Sequence, residues 1–428
     1  MSALPDIAQP DVTQTELTLQ TLRHRYQAVR DHSLALAAPL SAEDMTVQTM
    51  ADVSPTKWHL AHTTWFFENF ILHPHAKGYH RFNERYGYLF NSYYYTVGQM
   101  HPRPQRGQIT RPGVDQIMAY RAYVDEHLLN LLDERGDDPE LAQLVTLGLH
   151  HEQQHQELIL TDIKHVLAAN PLCPAYRDGL LSTGASVAHL EFLSGARELV
   201  DMGFDGIGFS FDNERPRHRQ WLEPHRLADR LITNGEYLAF IRDGGYRTPE
   251  LWLSDGWATV QSQGWDRPLY WSREYTSEFT LMGEQALDPA RPVCHVSYYE
   301  ADAFARWAGA RLPTEAEWEV AVEQAGIEPT GQGTHSAFHP DAAQGTDLRQ
   351  CFGEVWQWTA SPYVQYPGYR APAGAIGEYN GKFMCNQMVL RGSSCVTPPG
   401  HARVTYRNFF YPGDRWQFMG IRLAKDID

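Results

Sequence analysis

The chain changes its hydrophobic pattern near residue 170, and this change limits the folds open to it. Before that point three long segments place apolar residues three and four positions apart, the period of an amphipathic helix: 17–36, 113–134 and 140–168. A fourth segment, residues 58–72, is shorter and strongly apolar. Four such segments predict a helix bundle in the first part of the chain.

Beyond residue 170 the chain is rich in glycine, proline and tryptophan, and turn residues interrupt its short apolar runs. Two helices are predicted here, because Thr233 and Ser297 can cap the segments that follow them, and Glu300 completes a capping box with Ser297. The remainder predicts short strands and long loops. We therefore expect an α+β protein with two domains, residues 10–170 and 185–428.

A long aromatic, proline-containing connection, residues 73–112, joins the second and third helical segments. Connections of this length inside a compact domain are usually functional or disordered. Its many tyrosines favour an ordered, functional loop.

Charge and cysteine content exclude some classes of partner. The formal net charge of −16 argues against nucleic acid or an anionic membrane as the main partner. The first residues show no basic stretch followed by an apolar run, and no window approaches the ~18 apolar residues of a membrane helix. Five cysteines without CxxC spacing fit reduced thiols in a cytoplasmic protein, and we expect all five to be buried and free.

The segment from His150 to Glu157 is the most informative for chemistry. His151 and His155 are four residues apart, so a helix presents both imidazoles on one face, where they can bind one metal ion. The same string also matches HExxH, the zinc peptidase motif, with Glu152 as general base. A polar helix face with histidines directed to water remains the alternative.

A second histidine pair, His59 and His62, lies in the apolar segment with Trp58 and Trp65. Because large apolar side chains surround these two histidines, they cannot both be exposed surface residues. At least one should face the bundle interior, where facing helices build metal sites. A buried histidine with a satisfied hydrogen bond remains the alternative.

The pairing of WHLAH (58–62) with the later HEQQHQE (151–157) resembles the DinB-like bundle of the sulfoxide synthases of ergothioneine biosynthesis. This resemblance implies that His62, His151 and His155 bind iron(II), leaving positions open for thiolate and oxygen. It also implies that Gln154 contacts the imidazole of the substrate, although a surface glutamine is the alternative.

The second half resembles the formylglycine-generating-enzyme (sulfatase-modifying-factor) fold, which is C-type-lectin-like. Four segments carry this resemblance: 211–216, 311–319, 353–358 and 391–394. The cysteine pair of the true formylglycine-generating enzymes is not matched, because Cys395 is offset and residues 401–407 contain no cysteine. Thiol oxidation by their mechanism is therefore not expected.

Two segments of the long loop resemble the synthases as well. Residues 91–95 resemble the segment in which one subgroup carries its catalytic tyrosines, which implies that Tyr93 and Tyr94 are catalytic. Arg103 and Arg106 lie where the family holds the carboxylate of the thiol substrate, a task that suits the fixed donor fork of arginine. Aromatic packing and solvated loop arginines are the alternatives.

Residues 406–410 resemble the family segment whose asparagine, here Asn408, contacts the betaine substrate. A trimethylammonium group has no N–H, so aromatic faces must receive it. The subgroup that uses γ-glutamylcysteine has Trp-Asp after this asparagine, whereas Phe409 and Phe410 match the subgroup that uses free cysteine.

Taken together, the resemblance implies an Fe(2+)- and O2-dependent enzyme that joins hercynine (N-α-trimethylhistidine) to L-cysteine, giving S-(hercyn-2-yl)-L-cysteine S-oxide. A γ-glutamylcysteine-using enzyme and a selenoneine synthase with a selenosugar donor are alternatives. The ovothiol-pathway synthase usually carries a C-terminal methyltransferase domain, for which we expect no room. A zinc peptidase and a non-catalytic binding module are alternatives from other classes, and the sequence leaves a homo-oligomer open.

Overall fold

A computed structural model describes residues 14–184, 186–329 and 337–427. Its first part is helical: α1 (Gln14–Ala37), α2 (Thr56–Phe67), α3 (His73–His75), α4 (Tyr86–Phe90), α5 (Val114–Arg135) and α6 (Pro139–Ala169). A π-helical turn, Glu68–Leu72, joins α2 to α3. Helix α6 packs against α1 and α2, and α2 also packs against α5. The predicted four-helix bundle is confirmed.

Local sequence explains where α6 begins and how closely it approaches α2. The Asp138 carboxylate accepts hydrogen bonds from the backbone N–H groups of Glu140 and Leu141, and Pro139 occupies the first turn. Gly148 lies against α2, and a Cβ atom at this position would come within 2.5 Å of the Phe67 ring. Glycine therefore permits this close approach of α6 to α2, and any larger residue here would require the Phe67 ring to move.

The second part mixes short helices and strands. The helices are α7 (Asn234–Arg242), α8 (Ser254–Gln263), α9 (Tyr298–Trp307) and α10 (Glu315–Gln324). The strands are β1 (Phe192–Ser194), β2 (Leu199–Met202), β3 (His218–Trp221), β4 (His225–Ala228), β5 (Ser277–Thr280), β6 (Gly283–Ala286), β7 (Trp356–Pro362), β8 (Met388–Gly392), β9 (Asn408–Phe410), β10 (Met419–Gly420) and β11 (Ala424–Asp426). This composition confirms the α+β class.

The largest sheet among the described residues has the order β10-β7-β8-β9, with β10 parallel to β7 and the other pairs antiparallel. Its β8–β9 register pairs Met388 with Phe410 and Leu390 with Asn408. A three-stranded sheet, β1-β4-β11, and the pairs β2–β3 and β5–β6 complete the strands. The large sheet thus fixes residues 408–410, which were expected to contact substrate.

The two predicted helix caps, at Thr233 and Ser297, are confirmed, and Thr314 caps α10 in the same way. The side chains of Thr233, Ser297 and Thr314 each accept a hydrogen bond from the backbone N–H three residues later, at 3.2 Å in all three helices. Helix α8 was not predicted, because its apolar residues are too sparse to stand out.

Helix α6 forms the junction between the two parts. Glu157 accepts hydrogen bonds from Trp356 Nε1 and Ser394 Oγ, both at 2.6 Å, and Asp162 accepts one from Trp416 Nε1 at 3.1 Å. One continuous cluster of buried apolar residues spans both parts. The helix that carries two predicted metal ligands is therefore held from both sides.

Across the described ranges, no helix combines the length and the apolar character that crossing a membrane requires.

All five cysteines are free thiols. Cys294, Cys351 and Cys395 are buried, as expected, but Cys173 and Cys385 are exposed. The expectation of burial was wrong for these two because they lie in surface segments, Cys173 in the turn after α6 and Cys385 in the loop before β8.

Candidate metal centre and substrate cavity

Three histidines from two helices converge inside the bundle. His62 comes from α2, and His151 and His155 come from successive turns of α6. Each offers a ring nitrogen, and these atoms all lie within 4.8 Å of one another. His62 Nε2 and His151 Nε2 are 3.2 Å apart. The structure thus brings the three predicted ligands together.

Hydrogen bonds indicate which ring nitrogen of His62 and His155 is free. His62 Nδ1 donates to the carbonyl oxygen of Phe90 at 2.6 Å, so Nε2 keeps its lone pair. His59 Nε2 donates to Asp162 Oδ2 at 3.0 Å, and His59 Nδ1 accepts from His155 Nδ1 at 2.8 Å. His155 Nε2 is therefore also free, and Asp162 orients it through His59 in the manner of a carboxylate–histidine support for a metal ligand.

His59 and His62 are therefore both buried in the bundle. His59 hydrogen-bonds to His155, and His62 faces His151.

The three candidate ligands are neutral. Burial lowers the pKa of His151 to about 3, and burial together with the neighbouring histidines lowers the pKa of His62 and His155 well below the usual 6.5. Neutral imidazoles are the form that binds a metal ion, and three of them suit a divalent transition metal while leaving positions open. The donor set therefore fits the iron(II) that the sequence resemblance implied.

Glu152 does not serve the metal centre as the peptidase motif requires. Its carboxylate accepts hydrogen bonds from Arg30 at 2.8 Å, Arg121 at 2.9 Å and Ser33 at 2.6 Å. Burial alone would raise its pKa, but the two arginines lower it to about 2. Both oxygens are occupied in the bundle core, so the peptidase interpretation loses its general base.

An aromatic stack connects the metal centre to the long loop. The His62 ring lies between Trp58 and Trp65, stacked at centroid distances of 4.6 and 5.7 Å. The Arg106 guanidinium lies 3.3 Å from the centroid of the Trp58 ring and donates to Ser54 at 2.9 Å and Ser92 at 3.1 Å. These contacts fix a buried positive charge close to the metal centre.

A cavity of about 400 Å³ lies between the bundle and the second part of the chain. Eight of the predicted site residues line it: Tyr93, Arg103, Arg106, Gln154, His155, Asn408, Phe409 and Phe410. The other three predicted residues, His62, His151 and Tyr94, lie behind this wall, within ring contact of its members. The cavity therefore joins the metal centre to every predicted substrate contact.

The two predicted catalytic tyrosines differ in position. Tyr93 lines the cavity, and its ring lies 4.6 Å from that of Tyr94. Tyr94 is fully buried against Trp65 and Phe70, and its hydroxyl has no hydrogen-bond partner among the described residues. Burial raises the pKa of both phenols well above 10, so both remain protonated.

Another wall of the cavity is apolar and aromatic at Phe409 and Phe410, the two residues that the sequence resemblance linked to the choice of thiol substrate. Phe409 stacks on Tyr363 at 4.0 Å, and Phe410 packs edge-on against Trp416 at 5.7 Å. Gln154 reaches across from α6 and donates to the Tyr406 hydroxyl at 2.6 Å.

Tyr379 and Glu157 are among the cavity residues that were not found from the sequence. Tyr379 lies 5.6 Å from the His151 ring and 5.9 Å from that of Tyr93. Glu157 is buried, and burial raises its pKa, although three neutral donors offset part of this effect. Glu157 falls two residues after His155, so the extended motif could have indicated it, whereas nothing local indicates Tyr379.

Hydrogen bonds between two loops that are distant in the sequence join the segments that carry Tyr93 and Tyr379. The Glu378 carboxylate accepts hydrogen bonds from the backbone N–H groups of Tyr95 and Thr96, both at 3.1 Å. Lys382 donates to the carbonyl oxygen of Tyr93 and pairs with Glu378 at 3.0 Å. The tyrosine loop is therefore positioned by the second part of the chain.

Comparison with known proteins agrees with this two-part site. Residues 25–159 match the DinB superfamily, and residues 191–344 and 335–427 match the sulfatase-modifying factor enzyme 1-like domain. The hercynine oxygenase of Mycolicibacterium smegmatis is 33% identical over 360 residues, covering 76% of this chain and 82% of that protein. The chain belongs to the hercynine oxygenase family.

Further relatives agree with the assignment. The hercynine oxygenase of Mycobacterium tuberculosis is 34% identical over 359 residues, covering 76% of this chain and 81% of its own. Ergothioneine biosynthesis protein 1 of Schizosaccharomyces pombe is 27% identical over 230 residues, covering 51% of this chain but only 28% of its own length. The protein is an oxygenase of a metal-dependent family, with a small-molecule substrate and a role in ergothioneine biosynthesis.

Proposed function

We propose that this oxygenase uses iron(II) and O2 to join the sulfur of L-cysteine to the imidazole of hercynine, forming S-(hercyn-2-yl)-L-cysteine S-oxide. The observation that carries this proposal is the single cavity in which His155, two arginines and an aromatic wall meet. We also keep the division into residues 10–170 and 185–428 as a proposal, supported by the two matched ranges.

His62, His151 and His155 would hold the iron. Bound there, the ion would bind the thiolate and activate oxygen at its open positions. Asp162 and His59 would keep the His155 lone pair directed inward, and the Phe90 carbonyl would do the same for His62. The arrangement demands neutral imidazoles, which burial supplies.

Hercynine would occupy the part of the cavity near Gln154 and the aromatic residues. The Gln154 amide can hydrogen-bond the substrate imidazole and place its C2 carbon toward the metal centre. The aromatic side chains that line this part, including Tyr406 and Phe409, would receive the trimethylammonium group, which lacks donors of its own. Asn408 would contact the betaine carboxylate.

Arg103 and Arg106 would receive the carboxylate of cysteine. Arg106 is buried and already fixed by Ser54 and Ser92, so little conformational entropy is lost when it binds the substrate. Phe409 and Phe410 offer no carboxylate to a glutamyl ammonium group, which favours free cysteine over γ-glutamylcysteine.

Tyr94 and Tyr93 would control the protons of the reaction. Both hydroxyls stay protonated, and the buried Tyr94 hydroxyl donates to no acceptor among the described residues, so it is available to a reacting group. Tyr93 lies between Tyr94 and the cavity and would relay or support this donor. Proton donation would favour carbon–sulfur bond formation over direct oxidation of the thiol.

Oxygen uptake tests the proposal. The protein is loaded with iron(II) under anaerobic conditions and then given O2, hercynine and one donor: cysteine, γ-glutamylcysteine or a selenosugar. We expect rapid uptake with cysteine and a product of the mass of the S-oxide. Preferred use of the selenosugar would instead identify a selenoneine synthase, and no uptake with any donor would contradict the proposal.

A further inference from the structure

Charged groups of both signs meet in one part of the cavity. Arg103, Arg106, Asp52 and Asp414 all line it, and Arg103 also donates to the backbone carbonyl of Asp52. Across the described ranges, no ion pair within 4 Å joins any of these four side chains to an opposite charge. The cavity therefore holds two cations and two carboxylates that act on one another at longer range but form no close ion pair among the described residues.

Arg106 is the observation that points to a ligand rather than to a surface charge cluster. Only 4% of this residue is exposed, and its guanidinium lies on the Trp58 ring. Among the described residues, its buried Nε atom has no hydrogen-bond partner, and its other nitrogens donate only to the hydroxyls of Ser54 and Ser92. A buried guanidinium without a carboxylate partner favours an anionic ligand.

The environment of Asp414, by contrast, favours a cationic ligand group. Burial raises the pKa of its carboxyl to about 7, and the nearby Asp52 adds to this effect. The Tyr411 backbone N–H, which donates to Asp414 Oδ2 at 3.0 Å, and the charge of Arg103 offset only part of it. A positive group placed beside Asp414 would stabilise the ionised carboxylate.

We propose that Asp414, assisted by Asp52, receives the α-ammonium group of the same amino acid whose carboxylate Arg103 and Arg106 hold. This inference rests on the proposed use of cysteine and adds a second determinant of donor choice. In γ-glutamylcysteine the nitrogen of the cysteine residue is an uncharged amide, so Asp414 has no cation to meet. Phe409 and Phe410 act on the glutamyl end of that molecule, whereas Asp414 acts on the cysteine end.

The Asp414→Asn variant removes the charge and keeps the local fold. Its amide oxygen can still accept from the Tyr411 N–H, so the turn at residues 411–414 is preserved. Asp178→Asn is the matched control, because Asp178 is exposed and lies outside the residues that line the cavity. The two substrates to compare are cysteine and 3-mercaptopropionate, which keeps the carboxylate and thiol but lacks the ammonium group.

Calorimetric binding under anaerobic conditions, with iron and hercynine present, is measured for both thiols. We expect Asp414→Asn to weaken cysteine binding by about 10- to 100-fold, the range for a hydrogen bond to a charged group. Its affinity for 3-mercaptopropionate should stay within about twofold of that of the unaltered protein, and Asp178→Asn should change neither. Unchanged cysteine affinity, an equal loss for both thiols, or no cysteine binding to the unaltered protein would overturn the inference.

Oxygen uptake in the same preparations separates this inference from the proposed function. If the unaltered protein forms the S-oxide and Asp414→Asn binds cysteine normally, only the role of Asp414 is wrong. If cysteine binds in an Asp414-dependent manner but no S-oxide forms, the ammonium site stands and the reaction assignment fails.

Discussion

Replacing Glu152 with glutamine should destabilise the bundle without emptying the metal centre. The side chains of Glu152, Arg30 and Arg121 are at most 3% exposed, and each arginine donates to a different oxygen of the carboxylate. Removing one partner of a buried ion pair leaves uncompensated charge, which typically costs about 3–5 kcal/mol. Glutamine has nearly the same shape as glutamate, so the loss of folding stability reports the removal of the charge.

The pKa of Glu152 gives a second value for the stability that its buried ion pairs contribute. The fall from 4.5 to about 2 corresponds to about 3 kcal/mol of stability. Because the folded pKa is depressed, this stability is fully present above about pH 4.5 and is lost as the pH falls toward 2. The unaltered protein should lose this part of its stability in that window, and Glu152→Gln should not.

Urea denaturation followed by circular dichroism measures the effect, with Glu134→Gln, an exposed glutamate of α5, as the control. We expect a loss of about 3 kcal/mol or more for Glu152→Gln and less than about 0.5 kcal/mol for the control. Iron content per folded molecule should be unchanged. A fully stable, iron-loaded but inactive Glu152→Gln protein would refute this reasoning and revive a general-base role.

Three further predictions concern the site itself. His155→Ala should lose most bound iron, measured by elemental analysis, while its helical circular dichroism remains; an iron-replete variant would remove His155 from the ligand set. Because Phe409 and Phe410 offer no charge partner, kcat/KM for cysteine should exceed that for γ-glutamylcysteine by more than ~10-fold, about 1.4 kcal/mol, in oxygen-uptake kinetics; equal values would contradict this selectivity. Tyr94→Phe, alone or with Tyr93→Phe, should lower S-oxide formation more than oxygen uptake and increase the amount of cysteine sulfinate detected by mass spectrometry. An unchanged product ratio in the double variant would show that both tyrosines only pack the loop.

The features that follow from local periodicity could be predicted from the sequence. Helical spacing places His151 and His155 on one face of α6, and the capping residues Thr233 and Ser297 act within one turn of their helices. Glu152 shows the limit of a motif: it is adjacent to His151, but a helix turns by about 100° per residue, which directs it to Arg30 and Arg121 instead.

What the sequence did not indicate depends on contacts between distant segments. Tyr379 lies beside the His151 ring, and its neighbours Glu378 and Lys382 bind the loop that carries Tyr93, more than 280 positions earlier. Asp414 and Arg103 likewise line one cavity although they are far apart in the sequence. No periodicity relates such residues, so only the packed structure shows that they share a site.

Isotope labelling of the product tests the central claim most directly. The iron-loaded protein is supplied with hercynine, cysteine and ¹⁸O2 in unlabelled water, and the product is analysed by mass spectrometry. The account predicts one compound that contains both substrates joined through sulfur and carries a single ¹⁸O atom in its sulfoxide. Cysteine sulfinate with two ¹⁸O atoms as the main product, or no labelled product, would contradict it.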